Sequence, residues 1–291
     1  MPSYLCNTLL LPIKKTRTSI KFYEVNRHLR VASFDWIASV KPNDLVVFID
    51  YFGFTFNRNL IEQIKPKGAW ILEDASQALL SEGVGQFSDF TLFSPRKYLG
   101  VPDGGILSFN ARGRRIERMK LRQPPNHWWL KAFSATLLRR DFDRDGVDNN
   151  WFTLFQEAES GMPIGNYAMS DLSQALLSYC FDFSKIAQIR VRNYNCLADQ
   201  LRNLAVFPDL APGVVPLGFP IVTRNRDRIR KMLFGRHIYA PVHWSINGVI
   251  SERFEQSHEL SRSIMTLPCD QRYNTSDMKR ISTIFHETGE C

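Results

Sequence analysis

Two short segments carry residues whose types and spacing could do chemistry together. In Trp70-Ile71-Leu72-Glu73-Asp74-Ala75-Ser76-Gln77-Ala78 an apolar run ends on two carboxylates, and an amide follows. In Phe93-Ser94-Pro95-Arg96-Lys97-Tyr98-Leu99-Gly100 a second apolar run ends, and a lysine lies just beyond it. Polar groups beyond the carboxyl ends of strands are where α/β sheets bind ligands. A lysine amine can form a Schiff base with an aldehyde. A carboxylate can keep a pyridine nitrogen protonated, and an amide can donate to a phenolate oxygen. Lys97, Asp74 and Gln77 are thus the groups that pyridoxal phosphate needs around its ring. Each residue also has a plain structural reading. Asp74 could be only a helix cap, and Lys97 only a solvated cation among 37 Lys and Arg.

The elements that must position these residues read as follows. Leu45-Val46-Val47-Phe48-Ile49, Ala69-Trp70-Ile71-Leu72, Phe90-Thr91-Leu92-Phe93 and Gly105-Ile106-Leu107-Ser108-Phe109 are short apolar runs of buried-strand type. Residues 57–66 read as a helix between the first two. Strands alternating with helices predict an α/β sheet with helices on its faces. From about Asp171 the pattern changes. Helices are expected over 171–181 and 185–204, then a strand over 218–222, a helix over 226–234 and a short strand His237-Ile238-Tyr239. A last helix is expected from Ser276, as N-cap, to His286. The weakly periodic stretch from Arg139 to Met162 reads as an irregular excursion. The division expected is a large domain over residues 1–182 and a smaller α+β domain over 183–291.

The chain has 291 residues, a formal net charge of +8 and a pI near 9.3. That charge suits an anionic partner without choosing one. The densest basic run, Arg112, Arg114, Arg115, Arg118, Lys120 and Arg122, reads as a solvated helix face. With no recognised module and no regular basic–aromatic interleaving, nucleic acid is not an expected partner. Cys6, Cys180, Cys196, Cys269 and Cys291 lack metal-ligand spacing, so no metal is expected. No apolar run is long enough to span a bilayer, and no signal peptide is evident, so a soluble cytoplasmic protein without a membrane partner is expected.

The order of these segments resembles a known family. The strand with Glu-Asp-Ala-Ser-Gln-Ala at 73–78, Ser-Asp-Phe-Thr-Leu-Phe-Ser-Pro-Arg-Lys-Tyr-Leu-Gly at 88–100 and Asp-Gly-Gly-Ile-Leu at 103–107 are similar to the core of the DegT/DnrJ/EryC1/StrS aminotransferases. The likeness extends to Pro2-Ser3-Tyr4-Leu5-Cys6-Asn7, Asp50-Tyr51-Phe52-Gly53, Gly165-Asn166-Tyr167-Ala168-Met169-Ser170, Arg190-Val191-Arg192-Asn193-Tyr194 and His243-Trp244. The resemblance implies a fold type I transferase with a large mixed α/β sheet domain and a smaller C-terminal domain. It implies pyridoxal phosphate, an amino-acid donor, a nucleotide-linked keto-sugar and a homodimer with sites at its interface. Amino-sugar biosynthesis for a surface polysaccharide or a secondary metabolite would follow.

Carried over by position, Lys97 would form the Schiff base and shuttle the proton. Asp74 would pair with the pyridinium nitrogen, and Gln77 would bond the phenolate oxygen. Ser94 would reach the phosphate, although family members usually place that serine where this chain has Leu92. Asn166 would reach the phosphate in the partner's site, with Ala168 in place of the usual arginine. The aromatic ring that stacks on the cofactor would fall near Cys6 or at Tyr4. Tyr51 and His243 would approach the substrate, His243 having a packed aromatic corner as its other reading. The family's usual opening segment, a glycine-containing phosphate-binding turn, has no counterpart before Met1. The second expectation is therefore a non-catalytic or truncated relative that keeps the fold and at most binds a sugar nucleotide or a partner subunit. A related offshoot that uses the cofactor for dehydration has histidine in place of the lysine, and Lys97 argues against it.

Overall fold

A computed structural model describes residues 1–110, 120–146 and 150–289. Four strands form the larger sheet in the order β1 (Leu45–Ile49), β2 (Trp70–Asp74), β3 (Phe90–Phe93) and β4 (Ile106–Phe109). The first three are parallel and β4 is antiparallel to β3. The register sets Ile49 opposite Asp74 and Asp74 opposite Leu92. The carboxyl ends of β1 to β3 therefore open at one edge, where Asp50, Asp74 and Ser94 begin the loops. The sheet is mixed α/β, as the alternation of apolar runs and helical patterns predicts. Side chains along β4 are exposed on both faces, with Phe109 at 45%.

The helices before and between these strands are short. Helix α1 spans Leu11–Lys14, and α2, Asn59–Ile64, buries Leu60, Ile61 and Ile64 in the crossover from β1 to β2. Residues 139–162 depart from the sequence expectation. They are not irregular: α3 runs over Asn126–Asp145 and α4 over Asn150–Ser160. The two pack on each other through the Trp128 indole N–H to the Ala158 carbonyl (2.8 Å), a Lys131–Glu157 ion pair and Arg139 stacked 4.1 Å from the Trp151 ring centre. Helix α3 has only a weak apolar stripe, whereas α4 carries Trp151, Leu154, Phe155 and Ala158 at helical spacing, a signal the irregular reading passed over. Gly146 caps α3 in the left-handed conformation, and residues 147–149 lie outside the described residues. Of the basic run, residues 112–119 lie outside the described residues.

Helix α5 (Asp171–Tyr179) is capped by the Ser170 hydroxyl and α6 (Phe183–Leu201) by the Asp182 carboxylate. Strand β5 (Phe219–Val222) leads to α7 (Arg226–Gly235). Helix α8 (Glu255–Ser263) and β6 (Ile264–Leu267), neither expected from the sequence, follow, and β6 pairs antiparallel with β5. His237-Ile238-Tyr239 is not a strand. His237 takes φ 58° and its N–H, with that of Ile238, closes the end of α7, so this segment is a helix cap. Helix α9 (Thr275–His286) is capped two residues earlier than expected, by Asn274 and not Ser276, in a reciprocal capping box with Asp277. One core runs from Tyr4 through Phe48 and Phe54 to Tyr194, Phe219 and Phe285, so elements from both ends of the chain share it.

Candidate active site

The loop after β3 holds Lys97 in a single turn. Ser94 is extended, Pro95 opens the turn, and the Tyr98 and Leu99 amides donate to the Pro95 carbonyl, both at 2.9 Å. Tyr98 anchors the turn from below. Its buried hydroxyl donates to the Gln77 carbonyl (2.6 Å), and its own carbonyl accepts from the Gln271 side chain (2.6 Å). The buried Arg190 guanidinium lies 4.5 Å from the Tyr98 ring centre and bonds Gln271 and the Pro216 and Leu217 carbonyls. Lys97 is thus fixed by residues far along the chain. On the next loop Gly104 takes φ +110°, and a Cβ there would meet Met169 at 2.9 Å. Asp103 beside it is buried and accepts from the Ser170 amide and from the Ser170 and Ser173 hydroxyls, which ties this loop to α5.

The Lys97 amine sits 5.8 Å from the centre of the Trp244 ring, within cation–π range. The Lys97 side chain is exposed to solvent, although many protein atoms surround its amine. Burial holds it below the ordinary lysine range, while Asp74 and the Cys6 thiol pull the other way. Asp74 at the end of β2 accepts from the Ser76 amide (3.0 Å), so it serves the local turn while one oxygen remains. Gln77 is buried. Its Oε1 accepts from the Phe52 amide (2.9 Å), which leaves Nε2 as a buried donor with no partner among the described residues. Behind it Gly53, at φ +100°, approaches the Val215 carbonyl so closely that a Cβ would overlap it.

Trp244 is the residue that sequence reasoning underweighted. Its ring packs 5.5 Å from Tyr4 and 6.3 Å from Tyr51. His243 bonds the Thr266 hydroxyl through Nδ1 (3.0 Å), and burial with the nearby Lys97 charge lowers its pKa to about 4. Tyr51 is buried and its hydroxyl donates to the Tyr4 carbonyl. Tyr4 is also buried, whereas Cys6 is half-buried, bonds the Thr8 hydroxyl (3.0 Å) and acts on Lys97 electrostatically. The Ser94 hydroxyl bonds none of the described residues and is half-exposed. Asn166 is exposed, its backbone paired with Arg122 and its carboxamide bonded to none of the described residues. A contact absent from the sequence reading is Arg96–Glu159, which fixes α4 beside the Lys97 turn.

A family model for the DegT/DnrJ/EryC1/StrS aminotransferase family matches residues 38–286. The chain belongs to this family. Aminotransferases of the DegT/DnrJ/EryC1/StrS family use pyridoxal phosphate. Among curated proteins none matches the sequence significantly. Solved structures match over nearly the whole chain. A DegT DnrJ EryC1 StrS aminotransferase from Brucella abortus shares 15% identity, with 99% of this chain and 78% of that one covered and a TM-score of 0.64. DesI, solved with its TDP-sugar product, gives 15%, 99%, 73% and 0.65 for the same four measures. The E. coli GDP-4-keto-6-deoxy-D-mannose-3-dehydratase with hydrated pyridoxal phosphate gives 11%, 98%, 78% and 0.68. At such identities the likeness is one of fold.

The DegT-family site fits the ring of the cofactor on its own geometry. A lysine amine of lowered basicity lies beside the Trp244 indole with the Asp74 carboxylate in its field, and the loop after β2 carries a buried amide donor, Gln77 Nε2, that bonds none of the described residues. Among the described residues no group of three or more His, Cys, Asp or Glu is placed to hold a metal, and no helix is long and apolar enough to cross a membrane.

Proposed function

We propose that the chain is a pyridoxal phosphate-dependent aminotransferase that acts on a nucleotide-linked keto-sugar. The observation that carries this reading is the Lys97 amine, held on the Trp244 ring in the field of Asp74 at the carboxyl ends of the parallel strands. When bound, pyridoxal phosphate supplies an electrophilic carbon and an electron-accepting ring. Lys97 would hold it covalently and then carry a proton between cofactor and substrate carbons. The lowered basicity of Lys97 leaves more of the amine unprotonated for both tasks. Asp74 would keep the ring nitrogen protonated, and Gln77 Nε2 would donate to the phenolate oxygen. Trp244, Tyr4 and Tyr51 would wall the site against water, and neutral His243 would face the substrate.

The keto-sugar nucleotide rests on the family and on relatives such as DesI with its TDP-sugar product. The net charge of +8 suits a diphosphate-bearing substrate. We place the protein in the cytoplasm, in amino-sugar supply for a polysaccharide or secondary metabolite, as a large domain over 1–182 and a small one over 183–291. A homodimer would give the free Asn166 carboxamide a phosphate in the partner's site and would cover exposed apolar side chains on β4.

The test is to add pyridoxal phosphate to the folded chain, reduce with borohydride and map the modified peptide. An adduct on Lys97 is expected. A folded sample with no adduct there overturns the aminotransferase reading and leaves the non-catalytic relative. Incubation with an amino donor and nucleotide-linked keto-sugars then reads amino transfer directly.

A further inference from the structure

Two carboxyl groups outside the cofactor contacts lie against each other in the core. Asp50, the first residue after β1, is fully buried, and Glu73 on β2 is 2% exposed. Asp50 Oδ1 accepts from the Phe56 amide (2.9 Å), and Glu73 Oε2 accepts from the Gly85 amide (3.0 Å). The remaining Asp50 oxygen, Oδ2, is buried and finds no donor among the described residues. Phe48 pairs with Glu73 in the β1–β2 register, so Asp50, two residues on, and Glu73 are neighbours on one face of the sheet. Two carboxyl groups can hydrogen-bond each other only if a proton lies between them. The other titratable groups facing Asp50 are Asp74 on β2 and Tyr98 after β3, neither of them a cation. Tyr51, next in sequence to Asp50, borders Asp74.

The pair stands behind the site. Glu73 and Asp74 are consecutive on β2 and project to opposite faces of the sheet. The Asp50 amide donates to the Asp74 carbonyl (3.0 Å), and the Phe52 amide donates to Gln77 Oε1 (2.9 Å). The segment 50–56 therefore touches both residues proposed to hold the cofactor ring, and Asp50 Oδ1 closes that segment on the Phe56 amide.

We propose that Asp50 and Glu73 share one proton and, as a carboxyl–carboxylate pair, position the 50–56 segment that orders Asp74 and Gln77. Asp50 and Glu73 are positioning residues, and loss of the shared proton drives two like charges apart in a buried place. Burial and the adjacent Glu73 both raise the Asp50 pKa well above the usual carboxylate range. The folded chain therefore holds a proton that the unfolded chain releases, and stability falls as pH rises between the two pKa values. The consequence for the cofactor rests on the function proposed above, whereas the shared proton itself does not.

The experiment uses the full chain as wild type, Asp50→Asn and Glu73→Gln, unfolded with urea at pH 5 to 8.5. Either amide can donate to the remaining carboxylate, so each variant should replace the shared proton. Relative to each variant, the wild-type folding constant should drop about tenfold per pH unit until the pair is ionised. If one variant does not fold, the other still carries the comparison. Wild-type and variant curves that run parallel across this range overturn the proposal. Pyridoxal phosphate titrations supply the second readout. Apparent affinity should fall with pH in the wild type over the same window and hold in the variants. Loss at the same pH in all three proteins overturns the positioning role. No cofactor binding by any protein, with the urea difference intact, supports the shared proton and overturns the proposed function instead.

Discussion

The unpartnered Nε2 of Gln77 makes Gln77→Leu a substitution with opposite expectations in the empty and loaded protein. In the empty protein two effects oppose. Leucine removes the acceptor of the buried Phe52 amide, which costs about 1–3 kcal/mol when a donor is left without a partner. It also removes a buried donor that already lacks one, relieving a penalty of similar size, about 1–3 kcal/mol. The net change in unfolding free energy should stay within about 1 kcal/mol. In the loaded protein the second effect reverses, because Nε2 would then donate to a charged oxygen, a bond of about 1.5–3 kcal/mol. The apparent dissociation constant for pyridoxal phosphate should rise about ten- to a hundredfold. Gln77→Glu keeps an acceptor for the Phe52 amide but turns an anion toward the phenolate, so it should weaken binding at least as much. Urea unfolding with and without cofactor, together with absorbance titration, separates the two terms. Destabilisation of the empty protein by more than about 3 kcal/mol with unchanged cofactor affinity would show that Nε2 has no ligand to meet.

Other consequences of the geometry are equally open to measurement. Because burial lowers the Lys97 pKa, the rate of covalent capture of pyridoxal phosphate should rise with pH and level off below the range of an ordinary lysine; a profile still climbing near pH 10.5 would contradict this. His243, with its pKa near 4, should stay neutral across pH 5 to 8, and acidification from 6.5 toward 4 should cost at most about 3 kcal/mol of stability, because the unfolded state takes up the proton first. His243→Gln should flatten that part of a stability–pH curve, and NMR titration of the imidazole reads the pKa directly. Asp103→Ala leaves one amide and two hydroxyls without their acceptor and should destabilise by about 3 kcal/mol in urea unfolding.

The strands were legible because each is a short apolar run, buried or not, and the polar ends of two of them mark Asp74 and Lys97. Their family order then gives Gln77. What the sequence could not show is contact between distant residues. The indole of Trp244 lies beside the Lys97 amine through packing of the segment before β6, and no local pattern encodes it. Tyr51 reads as a substrate residue by position, yet its hydroxyl is taken by the Tyr4 carbonyl across the core. Helices α3 and α4 escaped because the Asp, Gly and Asn residues around Gly146 read as a loop and outweighed the helical spacing of Trp151, Leu154, Phe155 and Ala158. His237 escaped for a similar reason, since a β-branched neighbour suggests a strand while the left-handed cap decides.

These long-range contacts also explain why the Lys97 turn needs the C-terminal part of the chain. Tyr98 donates to the Gln77 carbonyl and thereby links the lysine-bearing turn to the loop after β2. Arg190 on α6 and Gln271 before α9 cover Tyr98, and Arg190 places its charge on the ring face and on two carbonyls near β5. A buried guanidinium satisfied in this way is costly to disturb in part, because its neighbours are left with unpaired groups. The amine, the amide and the C-terminal helices therefore form one mechanical unit. Movement of α6 relative to the sheet would tilt Tyr98 and carry both Lys97 and Gln77 with it, so placement of the cofactor ring is coupled to packing of the C-terminal helices.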